Sequence, residues 1–391
     1  MNNVCPVCGS SSILKFLEQD NVPVHQNYIL RNVEKATNIK RGNLSIYMCN
    51  NCGFIFNKDF DINKLNYGCN YDNTQDLSGF FKEYIKKEID FLTSNFDIKN
   101  STVIEVGCGK GKFLEQLVQK TGCKAIGFDP SYEGKNNLYD GKLKFIKEFY
   151  DGRFCNIKAD IVICRHVIEH IPKPLEILTS IKKALRNSQN AIVFFETPSV
   201  KWILEENIIY DFFYEHCSYF EDVSVKKSLN LSGFKVLNVV KEFKGQYMWV
   251  IAGLDENSME NNSKEGIEEL KKLTFQYSET VNKNIEILKN KIASLSIQGK
   301  VAVWGAGAKG VTFINLIDPN KKLIDSAIDI NKNKQGCYIP GSAHEIVSYE
   351  QITKRNIKYI IVMNQNYYEE IDNLLMASNI KVNLISGEKL I

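Results

Sequence analysis

The sequence predicts an α/β protein with three parts, namely a cysteine-bearing N-terminal segment followed by two sheet domains. Two Cys-x-x-Cys pairs lie within the first 66 residues. Short apolar runs rich in β-branched residues then alternate with amphipathic stretches, which is the pattern of a mainly parallel sheet. The unit of strand, glycine loop and helix occurs twice, at residues 102–117 and 300–315.

Composition limits the classes of function. The 49 basic and 46 acidic residues leave a net charge of +3 and are mixed along the chain, so we expect no nucleic-acid partner. We find no run of about 18 apolar residues, so we expect no membrane partner. The N-terminus has no signal-peptide pattern, and eleven cysteines indicate reduced thiols instead of a disulfide framework. We therefore expect a cytoplasmic protein, and the sequence does not indicate its oligomeric state.

Residues 1–66 are predicted to form a zinc-binding domain. Cys5-x-x-Cys8 and Cys49-x-x-Cys52 have the spacing of two zinc knuckles, which together supply four thiolates for one tetrahedral Zn²⁺. Four thiolates leave no open coordination position, so we expect the metal to be structural. The alternative is four unrelated free cysteines.

The first glycine loop has the spacing G-x-G-x-G, with Gly107, Gly109 and Gly111 after a predicted strand that contains Glu105. Glycines allow a sharp turn and a close approach of the backbone to a ligand. Asp129 ends the next predicted strand, where a carboxylate can accept hydrogen bonds from both hydroxyls of a ribose. This pattern resembles motif I of class I S-adenosylmethionine methyltransferases.

A histidine-rich loop follows the strand that ends near residue 164. The run from Ala159 to His170 resembles the fourth strand and the following loop of the same methyltransferases, which places His166 at the cofactor edge. The motifs together predict that residues 67–254 form an S-adenosylmethionine-binding domain. His166-x-x-Glu169-His170 also fits an inverted zinc-protease motif, but two nearby prolines interrupt the helix which that motif needs.

A second cluster, Phe213-Tyr214-Glu215-His216, places an acid and a histidine beside aromatic residues. Histidine titrates near neutral pH and a carboxylate can orient it, so the cluster is suited to proton transfer. A structural hydrogen-bonding role for the histidine is the alternative.

The last two parts are a connection and a second glycine loop. Residues 255–299 are predicted to be a polar linker and one long helix, and residues 300–391 to be another strand–helix domain. The sequence from Gly305 to Gly310 fits G-x-G-x-x-G, and Asp329 ends a later strand-like run. This loop is expected to hold NAD or a nucleotide diphosphate, or to be a duplicated scaffold without a ligand.

Taken together, the parts resemble the bacterial sugar C-methyltransferases that act on nucleotide-linked keto-deoxysugars. The most specific markers are Gly305-Ala-Gly-Ala-Lys-Gly-Val-Thr, Lys334-Gln-Gly-Cys-Tyr-Ile-Pro-Gly and Tyr214-Glu-His-Cys-Ser-Tyr-Phe. The resemblance implies an N-terminal zinc-binding segment, a class I methyltransferase Rossmann-like domain and a second, C-terminal Rossmann-like domain. It also implies S-adenosylmethionine as methyl donor and a nucleotide-linked sugar as substrate.

Further, the resemblance implies chemistry on a 4-keto sugar. A base removes the proton beside the carbonyl, and the enolate carbon then takes the methyl group. By similarity, His216 is the base, Glu215 is its orienting neighbour, and His170 is a stabiliser or a second acid/base. A tyrosine from the region before the methyltransferase core also lines the family's site, and here it is Tyr71 or Tyr67.

One position departs from the family pattern. The family has an active-site tyrosine where this chain has Phe213, so either Tyr214 supplies the hydroxyl or the substrate or chemistry differs. The nearest alternative function is O- or N-methylation of a sugar or another small metabolite. Two more distant hypotheses are a non-catalytic zinc-containing scaffold and an NAD-dependent oxidoreductase.

Overall fold

A computed structural model of the chain describes residues 3–66, 68, 70–255 and 263–390. The rival tyrosine, Tyr67, and most of the predicted polar linker lie outside these residues. Within them, three sheets carry the fold, and the predicted α/β class is confirmed.

The N-terminal sheet is antiparallel and has four strands. The segment before residue 60 contains β1 (Ile13–Pro23), α1 (Val33–Thr37), β2 (Arg41–Cys49) and β3 (Ile55–Asn57). The fourth strand, Ser218–Tyr219, comes from the middle of the chain and pairs with β3 at Phe56 and Ile55. The N-terminal sheet is therefore completed by a residue pair that the sequence assigned to the methyltransferase domain.

The middle of the chain forms an eight-stranded sheet flanked by helices. Its elements are α2 (Gly79–Asn95), β4 (Thr102–Val106), α3 (Lys112–Thr121), β5 (Lys124–Phe128), β6 (Asn137–Leu138), β7 (Leu143–Ile146), β8 (Ile161–Arg165), α4 (Pro174–Leu185), β9 (Ile192–Pro198), α5 (Val200–Glu205), β10 (Ser218–Tyr219), α6 (Asp222–Leu231), β11 (Phe234–Glu242) and β12 (Tyr247–Leu254). The strand order is β11-β12-β9-β8-β4-β5-β7-β6, without β10.

The centre of this sheet explains where a ligand can lie. β4 pairs in parallel with β5 on one side and with β8 on the other. The chain runs from β4 to β5 and reaches β8 only later, so the strand order reverses between β4 and β8. Open α/β sheets bind ligands at this point, outside the carboxyl ends of the strands. Gly107 follows β4 there, and His166 follows β8.

The C-terminal part begins with one long helix. Its elements are α7 (Lys264–Gln298), β13 (Lys300–Trp304), α8 (Ala308–Ile317), β14 (Ile324–Ile328), β15 (Ile346–Val347), α9 (Ile352–Arg355), β16 (Ile357–Val362), α10 (Tyr368–Ala377) and β17 (Asn383–Ser386). The five strands are parallel in the order β15-β14-β13-β16-β17, so the strand order reverses between β13 and β16.

Helix α7 packs against the N-terminal sheet, α5 and the C-terminal sheet. Its buried residues recur at helical spacing, including Leu270, Tyr277, Val281 and Leu288, as the sequence pattern predicted. They belong to a hydrophobic core that also contains β1, β2, α5 and α8 side chains. None of the described helices combines the length and the apolar character that crossing a bilayer requires.

Candidate active site

A cavity of about 320 Å³ lies between the carboxyl ends of the parallel strands of the eight-stranded sheet and those of the five-stranded sheet. The loop after β8 lines its methyltransferase side together with Phe213, Glu215 and His216. The second glycine loop, Gly305–Gly310, lines its C-terminal side, and the segment from Tyr71 to Ser78 also contributes. The cavity therefore places the two predicted histidine clusters and the second glycine loop around one space.

The first glycine loop lies at the end of β4 and contacts the loop after β8. Gly107 has φ +72°, and a Cβ there would approach the Val167 side chain to 2.1 Å. Oδ2 of Asp129 accepts a hydrogen bond from the Gly109 amide at 2.9 Å, and Oδ1 accepts two from Ser131. A side chain at position 107 would thus fill space and strain the backbone, while Asp129 holds the turn in shape.

Buried acids surround Arg165 beside this loop. The Arg165 guanidinium lies 2.7 Å from Glu88, 3.2 Å from Glu196 and 3.7 Å from Glu105. One carboxylate oxygen of Glu88 and one of Glu105 have no hydrogen-bond partner among the described residues. Burial raises the pKa of Glu105 to about 7 and that of Glu88 to about 8, although Arg165 opposes both shifts.

This excess of buried carboxylates fits a cationic ligand such as S-adenosylmethionine, which carries a sulfonium and an ammonium group. The sequence pointed to Glu105 but missed Glu88, Arg165 and Glu196. These three residues lie on α2, β8 and β9, and of these elements only β8 carries a recognisable sequence motif.

His170 and His216 meet inside the cavity. Their rings lie edge to face with centroids 4.8 Å apart, and the Phe213 ring lies 4.0 Å from His216. A carboxylate oxygen of Glu169 and a ring nitrogen of each histidine lie within 4.8 Å of one another. Burial holds the pKa of His216 well below its usual range, and the nearby His170 and His166 add to this effect. A neutral imidazole in this position can accept a proton.

Glu215 does not orient His216. Its carboxylate accepts the Gln26 backbone N–H at 2.6 Å and the Tyr71 hydroxyl at 2.8 Å. Burial raises the pKa of Glu215, although the neighbouring His170 opposes the rise. The structure thus gives Glu215 the Gln26 amide and the Tyr71 hydroxyl as partners in place of the predicted contact with His216. Glu215 instead fixes Tyr71, which does line the cavity.

Tyr214 does not supply a hydroxyl to the cavity. The side chain is fully buried against the N-terminal sheet, and its hydroxyl accepts the Asp61 backbone N–H at 2.8 Å. Its ring also occupies the space that a Cβ on Gly42 would need. The sequence-based suggestion that Tyr214 replaces the tyrosine missing at Phe213 is therefore corrected, and the cavity has an apolar ring at that position.

The second glycine loop has a basic environment. The Lys309 ammonium lies 2.7 Å from Asp211, and Lys334 is 6% exposed. Lys334 donates hydrogen bonds to the Asn27 side-chain oxygen and the Ala306 carbonyl, at 3.2 and 3.1 Å. Both acceptors are neutral, and no ion pair of Lys334 occurs in the part of the chain that the structure describes. A buried lysine without a counterion suits an anionic ligand.

The four N-terminal cysteines come together as predicted. The Cys5 and Cys52 sulfurs are 3.6 Å apart, and those of Cys8 and Cys49 are 3.5 Å apart. Zn–S bonds of about 2.3 Å place the sulfurs of a tetrahedral site about 3.8 Å from each other. The arrangement therefore fits a structural Zn²⁺, and these four thiolates would hold it.

Two family models and several curated proteins are similar to this chain. Residues 78–239 match a family model described as a methyltransferase domain, and residues 255–380 match a C-methyltransferase C-terminal domain. The C-methyltransferase NovU of Streptomyces niveus is 23% identical over 390 residues, covering 94% of this chain and 90% of that protein. The tRNA U34 carboxymethyltransferase of Campylobacter jejuni is 29% identical over 108 residues, which cover 26% of this chain and 36% of that protein.

Solved structures align with less than half of the chain. Magnesium protoporphyrin IX methyltransferase from Synechocystis PCC 6803 aligns over 44% of this chain and 83% of its own, at 16% identity and a TM-score of 0.35. CalO1, a methyltransferase in calicheamicin biosynthesis, aligns over 44% and 55%, at 14% identity and a TM-score of 0.36. The two family matches carry the assignment: the chain is an S-adenosylmethionine-dependent methyltransferase whose C-terminal part matches the C-terminal domain of C-methyltransferases.

Proposed function

We propose that the protein methylates a carbon atom of a nucleotide-linked keto sugar through an enolate. The observation that carries this proposal is the composition of the cavity between the eight-stranded and the five-stranded sheet. An imidazole pair suited to proton transfer lies on one side, and a glycine loop with two lysines lies on the other. A keto sugar linked to a nucleoside diphosphate fits both sides. Its acidic C–H would face the imidazole pair, and its diphosphate would face the glycine loop and the lysines.

His216 acts as the base. A base must be unprotonated before the reaction, and burial keeps the pKa of His216 low enough for this at neutral pH. Its ring accepts the proton next to the carbonyl, while His170, in edge contact with it, stabilises the enolate oxygen or returns the proton. Bound S-adenosylmethionine supplies the methyl group to the enolate carbon.

Tyr71 and Glu215 form a second, supporting pair. The Tyr71 hydroxyl donates to the Glu215 carboxylate, and Glu215 is held in turn by the Gln26 amide. Because two hydrogen bonds fix the carboxylate, the tyrosine ring is held against the cavity. We assign Tyr71 to positioning the sugar and Glu215 to positioning Tyr71.

The nucleotide part of the substrate is assigned to the second loop. The backbone amides at the start of α8, a helix of 10 residues, provide partial positive charge for a phosphate. Lys334 adds a charge without a carboxylate partner among the described residues, and Lys309, which is paired with Asp211, lies on the same side of the cavity. A diphosphate placed there would leave the sugar directed toward His216.

The test is deuterium exchange of a nucleotide-linked 4-keto-deoxysugar in D₂O, with and without S-adenosylmethionine, followed by NMR and mass spectrometry. We expect enzyme-dependent wash-in beside the carbonyl and a product with a new C–CH₃ group. His216→Ala should slow both by about 10³-fold and change the Kd of S-adenosylmethionine by no more than a few fold. His216→Asn, which keeps a polar side chain, should be equally slow.

The pH dependence follows from the direction of the His216 shift. Its folded-state pKa is depressed, so the base stays neutral below the ordinary histidine range. Wash-in should therefore persist as the pH falls through 6.5 and be lost only at a lower pH. Methyl transfer to oxygen or nitrogen without wash-in would contradict the proposal and favour the O- or N-methyltransferase alternative.

A further inference from the structure

His166 is held between two buried carboxylates at the wall of the cavity. Its Nδ1 lies 3.4 Å from a Glu169 oxygen, and its Nε2 lies 3.3 Å from a Glu196 oxygen. Glu169 is 2% exposed and Glu196 is fully buried. The Tyr247 ring covers the imidazole edge-on at 4.5 Å, and the remaining edge lines the cavity.

Two carboxylates at these distances favour a charged ring. A neutral imidazole has one N–H, whereas an imidazolium has two and can serve a carboxylate on each side. Burial alone would lower the pKa of His166, but Glu196 and Glu169 outweigh it and raise the pKa to about 10. The two carboxylates therefore favour the protonated form of His166 at neutral pH.

The partners of His166 are themselves fixed. Glu196 accepts the Tyr84 hydroxyl, and that hydroxyl accepts the Trp249 indole N–H at 2.7 Å. On the other side, Glu169 accepts the Thr197 hydroxyl at 3.2 Å and lies next to His170 and His216. A line of buried contacts thus runs from the core of the sheet to the proposed acid–base pair.

The backbone at this position is also unusual. His166 has φ +51°, in the left-handed region that non-glycine residues rarely adopt. The conformation turns the ring back between Glu169 and Glu196 directly after β8. The end of a strand does not by itself require a positive φ. The strained backbone of His166 therefore agrees with a functional requirement for the position of its ring.

We propose that His166, clamped as an imidazolium between Glu169 and Glu196, supplies a fixed positive charge that stabilises the enolate formed in the cavity. This inference rests on the proposed function and changes the role of His166, which the sequence had assigned to cofactor binding. A preorganised charge in a water-poor site lowers the energy of developing negative charge without any reorganisation at the moment of reaction.

The test uses His166→Asn in the full chain. Asparagine tolerates a positive φ and keeps a polar side chain, but it removes the charge. We expect deuterium wash-in without S-adenosylmethionine to slow by about tenfold or more, while the Kd of S-adenosylmethionine stays within about threefold. Wash-in without the cofactor isolates enolisation, so a residue that only binds the cofactor would not affect it.

A matched control is His344→Asn. His344 also forms a buried pair with a carboxylate, 3.3 Å from Asp318, but it does not line the cavity. We expect this variant to lose stability and to keep the wild-type wash-in rate, so a slow His166→Asn variant would not be explained by loss of a buried histidine–carboxylate contact.

The outcomes separate this inference from the proposed function. Absence of wash-in with the wild type overturns the proposed function and the inference that rests on it. If the wild type shows wash-in and His166→Asn shows the same rate, the inference alone is overturned. The same holds if the only effect of His166→Asn is a tenfold weaker affinity for S-adenosylmethionine. Independently of any substrate, ¹⁵N NMR of the wild-type chain should show both ring nitrogens of His166 protonated near pH 7, and a neutral ring would also overturn it.

Discussion

The two glycine loops of the chain are constructed alike and surrounded differently. In each, a parallel strand ends at a glycine with positive φ, and a helix follows. In each, an aspartate at the end of the next strand accepts a loop amide at 2.9 Å, Asp129 from Gly109 and Asp329 from Ala306. Around the first loop lie buried carboxylates, whereas around the second lie Lys309 and Lys334. The shared backbone thus provides a place for a ligand, and the side chains around it set the ligand's charge.

The comparison predicts that damage to one loop leaves the other intact. Gly107→Ala should have the largest effect, because a Cβ would collide with Val167 and φ +72° is unfavourable for alanine. We expect the affinity for S-adenosylmethionine to fall on the order of 100-fold by calorimetry. Binding of a nucleoside diphosphate should stay within twofold of wild type, on the order of experimental error.

The control for this variant is Gly152→Ala, since nothing lies within 4 Å of a Cβ at Gly152. Equal loss of both ligands in Gly107→Ala, with normal binding in the control, would show that the two loops are not independent.

The second prediction concerns the charge beside the second loop. Lys334→Met keeps most of the side-chain volume and removes the charge, so affinity for a nucleoside diphosphate should fall about tenfold. Lys332→Met, at an exposed position two residues earlier, is the control. Unchanged nucleotide affinity in Lys334→Met would remove the main support for an anion site at this loop.

A smaller effect should appear in the pH dependence. The pKa of Glu105 is raised to about 7, and a cationic ligand favours its ionised form, so binding should release a proton. Affinity for S-adenosylmethionine should therefore rise about three- to tenfold from about pH 6 to about pH 8. The nucleoside diphosphate should not show this rise, and calorimetry in two buffers would measure the proton release directly.

The smallest effect on either ligand is expected at the zinc site. Cys5→Ser should lower the zinc content and reduce the Tm by about 5 °C or more, because metal binding contributes to folding. The Kd of both ligands should change by no more than about threefold in protein that remains folded. A zinc content equal to that of wild type would contradict the four-cysteine site.

Patterns that are local in the chain were predictable. The cysteine pairs, both glycine loops and Asp129 lie in short motifs whose spacing fixes their geometry, so their positions agree with the structure. The strands β4, β5, β8 and β9 are short, continuous apolar runs. This pattern is typical of parallel strands that are buried on both faces.

Properties that depend on tertiary placement were not predictable. Glu88, Arg165 and Glu196 resemble ordinary charged residues in the sequence and form a cluster only when α2, β8 and β9 pack. Tyr214 and Glu215 are adjacent in an irregular segment, where no periodicity indicates which side chain faces the cavity. The uncompensated charge of Lys334 likewise becomes visible only when its neutral neighbours are known.

The pairing of β3 with β10 has a consequence for how the protein can be divided. Because Ser218–Tyr219 completes the N-terminal sheet, the segment with the four-cysteine cluster shares backbone hydrogen bonds with a strand that begins two residues after His216. A fragment beginning after residue 66 would expose both the edge of β10 and the apolar face of α7 to water. We therefore expect the first 66 residues to be indispensable to catalytic fragments, and chimaeras between relatives to succeed only when the N-terminal segment and residues 213–219 are exchanged together.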